Sequence, residues 1–232
     1  MKMRKAILDD GCNPELVAGA DFDGILEIPI IKRPKSFLIP SSIIPFSFRR
    51  QCNNRQAAIG FFEKDICFSD ILIHPEHYID DFKKFSAIIS PDCSLYRDAP
   101  LSVQITNIYR NRAIGYYFQK NGIYVIPQIR WGTEDTYTTK RLPERAAFLG
   151  VEKHSIIAIG TYGCIKHKDD KYFFKSGLEA MLETLEPQII LVYGAMPESV
   201  FGDYKNATTF IHYDDWTTAQ HKAHSIEKLN TR

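Results

Sequence analysis

Short runs of consecutive apolar residues, many of them β-branched, recur along this chain, and each is followed by a polar residue, a proline or a glycine turn. A strand with one face in water alternates apolar and polar side chains. A run that is apolar at successive positions belongs to a strand covered on both faces, as in a parallel sheet flanked by helices. The runs fall at residues 42–46, 65–73, 86–90, 123–129, 155–159, 188–192 and 209–213. Between them lie segments with helical spacing. The longest, 100–119, carries Leu101, Ile105, Ile108, Ala113 and Tyr116 and stops at Gly122. The next, 169–185, carries Tyr172, Phe173, Leu178, Met181, Leu182 and Leu185 and is closed by Pro187. Shorter helices are expected at 77–85 and 141–149. Parallel neighbours need crossover connections, so the pattern predicts an α/β fold of repeated strand–helix units.

Six or seven strands are too few for a complete eight-stranded barrel. No G-x-G-x-x-G fingerprint or P-loop marks a switch point. The expected arrangement is therefore an incomplete or distorted TIM-like barrel, with an open doubly wound sheet as the alternative. Residues 1–45 are rich in Pro and Gly with short extended pieces, and read as an N-terminal extended cap or hairpin. Residues 46–220 read as a single α/β domain, and the basic stretch 221–232 as a C-terminal tail.

Composition bounds the function. With 29 Lys and Arg against 28 Asp and Glu the net charge is +1, so no global basic field draws in nucleic acid. The five cysteines are odd in number and form no C-x-x-C pair, which argues against a disulfide framework and a cysteine-only zinc site and fits reduced thiols in a cytoplasm. No apolar run is long enough to span a bilayer, and the N-terminus does not read as a secretory signal.

In either architecture ligands gather at the carboxyl ends of the strands. Asp92 directly follows the run at 86–90 and is the candidate catalytic acid or base. Its bland alternative is a loop-capping role, shared with Ser94. Arg130 and Trp131 follow the run at 123–129 and offer a planar fork for phosphate or carboxylate beside a stacking face. The bland alternative puts Trp131 in the core and Arg130 in an ion pair with Asp92 or Glu134. After the run at 155–159, Tyr162, Gly163 and Lys166 form a glycine-flanked turn able to cradle an anion. Cys164 there would need a base to act as nucleophile, and His167 is near it only in sequence. Tyr193 closes the next strand as a cover or a packing ring. Within the long helix, Arg110 is a candidate to reach the rim, whereas Arg112 reads as structural. His74 and His77, three apart, are a weak metal hint and read more simply as solvated histidines; no metal ligand is assigned.

Five segments in order carry a resemblance: 90–96 (SPDCSLY), 109–113 (YRNRA), 126–132 (IPQIRWG), 160–166 (GTYGCIK) and 192–194 (VYG). They resemble the motifs of a phage and mobile-element family, the domain of unknown function 4417, over roughly residues 40–215. Cys93 departs from the bulky apolar residue expected there. The resemblance implies occurrence in phages, plasmids and integrated elements and no assigned activity. Its motifs coincide with the strand ends above and favour a shared site for Asp92, Arg110, Arg130 and the turn at 160–166.

The functional expectation is a strand-end pocket for a small anionic, nucleotide-like ligand, with hydrolysis of that ligand as its enzymatic form. The alternative is a non-catalytic nucleotide or nucleic-acid binding protein in element replication, regulation or counter-defence. A glycosidase-like barrel would rest on fold analogy alone. Cofactor, metal dependence and oligomeric state are not legible.

Overall fold

The computed structural model describes residues 12–222. The first eleven residues of the expected cap and residues 223–232 of the expected tail lie outside the described residues. In chain order the elements are β1 (Phe22–Asp23), β2 (Ile28–Pro29), β3 (Ile43–Pro45), β4 (Ala58–Gly60), α1 (Asp70–Ile73), α2 (Ile79–Phe82), β5 (Ala87–Ile89), α3 (Leu101–Lys120), β6 (Val125–Ile126), α4 (Glu134–Tyr137), β7 (Ile156–Gly160), α5 (Lys168–Leu185), β8 (Ile189–Tyr193), α6 (Glu198–Phe201) and β9 (Thr209–Tyr213), with 3-10 turns between them.

The class is mixed α/β. Strands β3 to β6 form a four-stranded sheet and β7 to β9 a three-stranded one, both ordered as the chain runs. All of these pairings are parallel: Ile44 faces Ile59, Ile59 faces Ile88, and Ile157 faces Ile190. A single parallel bridge, Gln128 to Ala158, joins the two sheets.

Side-chain direction explains the consecutive apolar runs. Residues two apart on a strand share a face. Ile43, Ala58, Ala87, Ile89, Ile126, Ile156, Ala158, Leu191 and Tyr193 enter one apolar cluster, against which Ile211 and Tyr213 pack. The intervening residues point the other way, toward the helices. Ile44, Ile59, Ile88 and Val125 meet Ile71, Phe82, Ile114 and Phe118. Ile157, Ile159, Ile190 and Val192 meet Leu178, Met181, Leu185 and Phe201. Both faces of β3 to β8 are dry, so those strands do not alternate, whereas the edge strand β9 stays partly exposed.

No closed barrel forms. Among the described residues no ladder joins β3 to β9, and the two ends meet through a side chain, Tyr213 Oη donating to Pro40 O at 2.7 Å. Four local expectations also change. The segment 65–73 is not a strand but a 3-10 turn (Asp65–Cys67) followed by α1, because its buried Phe68 and Ile71 recur at three, not two. The strand in that place is β4, whose Ala and Gly are poor strand signals. The run 123–129 pairs with β5 at Val125–Ile126; Pro127 has no amide hydrogen to continue that ladder, and beyond it the chain turns to the Gln128–Ala158 bridge with β7. The expected helix 141–149 is a single 3-10 turn, Ala146–Phe148, placed beyond Pro143, and 77–85 shortens to a 3-10 turn (Pro75–Tyr78) and α2.

The hairpin β1–β2 rests on α3. Gly150 amide donates to Asp23 Oδ2 at 2.9 Å, which ties the hairpin to the segment before β7.

Candidate functional site

The loop after β5 turns Asp92 inward, and the carboxylate is buried. Its Oδ2 accepts from Arg130 Nη1 at 2.6 Å and its Oδ1 from Gln128 Nε2 at 2.7 Å. Gln128 Oε1 accepts in turn from Asn111 Nδ2 at 2.9 Å. Asn111 Oδ1 accepts from Ser90 Oγ at 2.9 Å and from Arg112 Nη1. One polar network thus runs from α3, through the strand ends of β5 and β6, to Arg130. Arg112 anchors its inner end. It is fully buried and donates to the carbonyls of Leu149 at 3.0 Å, Gln128 at 2.7 Å and Ala147 at 3.1 Å. Burial pushes its guanidinium down to about 9, so it remains charged at neutral pH.

The outer end opens on a cavity of about 460 Å³. Arg130 is 27% exposed where its partner Asp92 is 6%, and both line the cavity, so the guanidinium is the wetter member of the pair. Trp131 lines the same wall, leaning on Phe174 with centroids 5.0 Å apart. Across from it, Arg97 pairs with Asp170 at 2.6 Å and lies 4.5 Å over the Phe173 ring. Tyr96 and Tyr162, both strongly exposed, also line the cavity. Phe62 lines the cavity and stacks on Tyr193 at 4.7 Å. Gly160 admits that ring: a Cβ there would stand 2.6 Å from Phe62 Cδ1.

Burial pushes the Asp92 carboxyl up from the usual carboxylate range, and the adjacent Arg130 charge opposes it. The Asp92 charge in turn pushes Arg130 further up. Cys164 Sγ accepts from Arg130 Nη2 at 3.4 Å, yet burial outweighs that cation and pushes the thiol up. A raised thiol is a weak nucleophile at neutral pH.

Asp92, Arg130, Trp131, Tyr162 and Gly163 therefore line one cavity. Lys166 stands outside it, exposed, with Nζ 5.8 Å from the Tyr162 ring centroid. Tyr193 lies beneath Phe62 and accepts from the Trp216 amide at 2.9 Å. Arg110 does not line the cavity. It donates to Asn107 Oδ1 at 3.0 Å, and Asn107 donates to Ser94 O at 2.7 Å, so it supports the Asp92 loop from behind. Two further polar side chains at strand ends are engaged elsewhere: Arg49 pairs with Asp81 at 2.9 Å, and His212 Nε2 is 2.8 Å from Gly194 O. Sequence reasoning missed Gln128, Phe62, Arg97, Asp170 and Asp65. Asp65 fixes the Asp92 loop by accepting from the Ser94 amide and hydroxyl at 3.1 and 2.7 Å. Gln128, polar inside an apolar run, was the one visible signal among them.

Three of the segments whose order resembled a known family, 90–96, 109–113 and 126–132, are joined by this network. Residues 20–214 match the domain of unknown function DUF4417. The chain belongs to the DUF4417 family. The match begins ahead of the hairpin β1–β2, further upstream than the motifs alone indicated. A gene 1 protein of Mycobacterium phage L5 is 31% identical to this DUF4417 chain over 200 residues, 83% of each protein. A gene 1 protein of Mycobacterium phage D29 is 30% identical over 173 residues, 73% of this chain and 61% of that protein, so the chain spans about three fifths of the latter's length. No solved structure matches. No described helix of this DUF4417 protein is long and apolar enough to cross a membrane.

Proposed function

We propose that this DUF4417 protein binds a small anionic, ring-bearing ligand of nucleotide type in the strand-end cavity, within an α/β domain whose strands wrap as an incomplete barrel. The wrapped arrangement is supported by the single apolar cluster to which all the parallel strands contribute. The ligand reading rests on one observation: Arg130 is held by the buried Asp92, lines the cavity and is the more exposed of the two. A guanidinium fixed in this way loses little freedom when it meets a phosphate, and its fork matches two phosphate oxygens. Arg97 adds a second cation, and Trp131, Tyr96 and Tyr162 supply faces for a base or similar ring. In this reading Asp92 is a positioning residue, since both of its oxygens already accept.

Thermal shift with nucleoside mono-, di- and triphosphates, and with inorganic phosphate as control, tests it. A nucleotide should raise Tm in the wild type, and Arg97→Ala and Arg130→Ala should each lower affinity at least about tenfold. Absence of any shift at millimolar nucleotide, or a shift undiminished in both variants, overturns the reading.

A hydrolase acting on the same ligand is favoured by the upward push on the Asp92 carboxyl, the direction a general acid requires. The two readings separate on Asp92→Asn. Loss of turnover with affinity kept within about tenfold supports the hydrolase. Weakened binding in a protein that converts nothing supports the binder.

A further inference from the structure

A second constellation lies away from the cavity, on the turn between α1 and α2. His74, Glu76 and His77 sit on or beside the 3-10 turn Pro75–Tyr78, and none of them lines the strand-end cavity. We propose that these three side chains form a binding site for a divalent transition metal, with zinc as the matching ion.

The backbone explains why a spacing of three serves here. In an α-helix, paired histidine ligands usually sit four apart. A 3-10 turn has three residues per turn, so positions i and i+3 eclipse. Pro75 sets the first φ of this turn, and the His77 amide donates to His74 O at 3.2 Å to close it. The imidazoles of His74 and His77 accordingly stack with centroids 5.0 Å apart and planes within 22°. Glu76 lies between them: its Oε1 is 3.6 Å from His74 Nδ1 and 3.7 Å from His77 Nε2. One donor atom from each residue lies within 4.8 Å of the other two.

Zinc bonds of about 2.0–2.2 Å put tetrahedral donors roughly 3.4 Å apart. The two Glu–His separations are already near that value, and only the gap between the imidazoles must close. All three side chains are about half exposed or more, at 48%, 53% and 63%, so small rotations meet no packed neighbour's resistance. Two imidazoles and a carboxylate are a donor set suited to zinc, leaving the remaining position to water. The segment itself is acidic, and the cation packed against it, Arg49 over the Tyr78 ring, is paired with Asp81. Residues 70–81 contain Asp70, Glu76, Asp80 and Asp81 and no Lys or Arg. Asp81 is committed to Arg49 and Lys84, and Asp70 accepts from Tyr78 Oη at 2.6 Å, whereas Glu76 is the carboxylate that lies within 3.7 Å of both rings.

The test is calorimetric titration of zinc chloride into the chelator-treated full chain. One zinc should bind with a micromolar Kd and raise Tm. His74→Ala and His77→Ala should each weaken binding at least about tenfold, with metal-free Tm unchanged because both side chains are exposed. Cobalt(II) should give ligand-field bands without a thiolate charge-transfer band. No saturable binding at millimolar zinc, equal affinity in both variants, or a thiolate band placing the metal on cysteine overturns the proposal.

Discussion

Arg130 reaches across 38 residues of chain to set Nη1 at 2.6 Å from Asp92 Oδ2, and the two groups are unequally wet. Removing the wetter partner strands the drier one. Arg130→Ala should cost about 3–5 kcal/mol of folding stability because a buried carboxylate loses its counter-ion. The double variant Asp92→Ala with Arg130→Ala should cost less than the sum of the single changes. Urea denaturation of all four proteins gives the coupling, and strict additivity would show the pair to be energetically silent.

Arg112 stands at the opposite end of the same network with backbone carbonyls as its main acceptors. Arg112→Ala should cost about 3–5 kcal/mol, since it opens a cavity and leaves several buried acceptors unmet. Arg112→Met should cost less, because it restores volume and spares the burial of charge. Midpoints of chemical denaturation should rank wild type above the Met variant and the Met variant above the Ala variant.

How far the sequence revealed this arrangement depends on what kind of partner each residue has. Strands β7 and β8 were legible because Ile157, Ile159, Ile190 and Val192 face helices while Ile156, Ala158 and Leu191 face the shared cluster. Strand β4 was not, because positions opposed by bulky neighbours take Ala58 and Gly60; a Cβ on Gly60 would stand 2.7 Å from Ile43 Cγ2. The convergence of Asp92, Arg130 and Gly163 followed from parallel strands alone. The depth of Arg112 did not, since its acceptors are main-chain carbonyls that no side-chain pattern announces. The pairing of Arg97 with Asp170 spans 73 residues of loop and helix and left no trace in periodicity.

Gly177 on α5 touches Trp131 so closely that a Cβ would stand 2.2 Å from Nε1. Gly177→Ala should push the indole toward the cavity, cost about 1–3 kcal/mol and change the Trp131 fluorescence. A Trp216→Phe background isolates that signal. Unchanged emission would mean that the helix, not the ring, gives way.

The cysteines differ in reach. Cys67 is exposed, Cys164 is half-buried with its thiol pushed up by burial, and Cys93 is buried with its thiol pushed up further. Alkylation at neutral pH, followed by mass spectrometry, should modify Cys67 first, Cys164 slowly and Cys93 only after unfolding. Rapid labelling of Cys164 would contradict its placement.

Among the described residues burial pushes up the phenols of eight tyrosines, and two of these should titrate last. Burial pushes both Tyr78 and Tyr193 up to about 12 from the ordinary value of 10.0. Between pH 10 and 12 the unfolded chain releases protons that the folded chain retains, so stability falls as pH rises through this window. Their contribution is complete below pH 10 and gone above 12. In an ultraviolet titration the last two phenolates to form should be lost one at a time in Tyr78→Phe and Tyr193→Phe.

The stack of Phe62 on Tyr193 couples the cavity lining to the filled apolar cluster of the strands, because Tyr193 belongs to that cluster and Phe62 borders both. A substitution that shrinks either ring would therefore be felt in two places at once: it would loosen the packing between the strands and reshape the space at their ends.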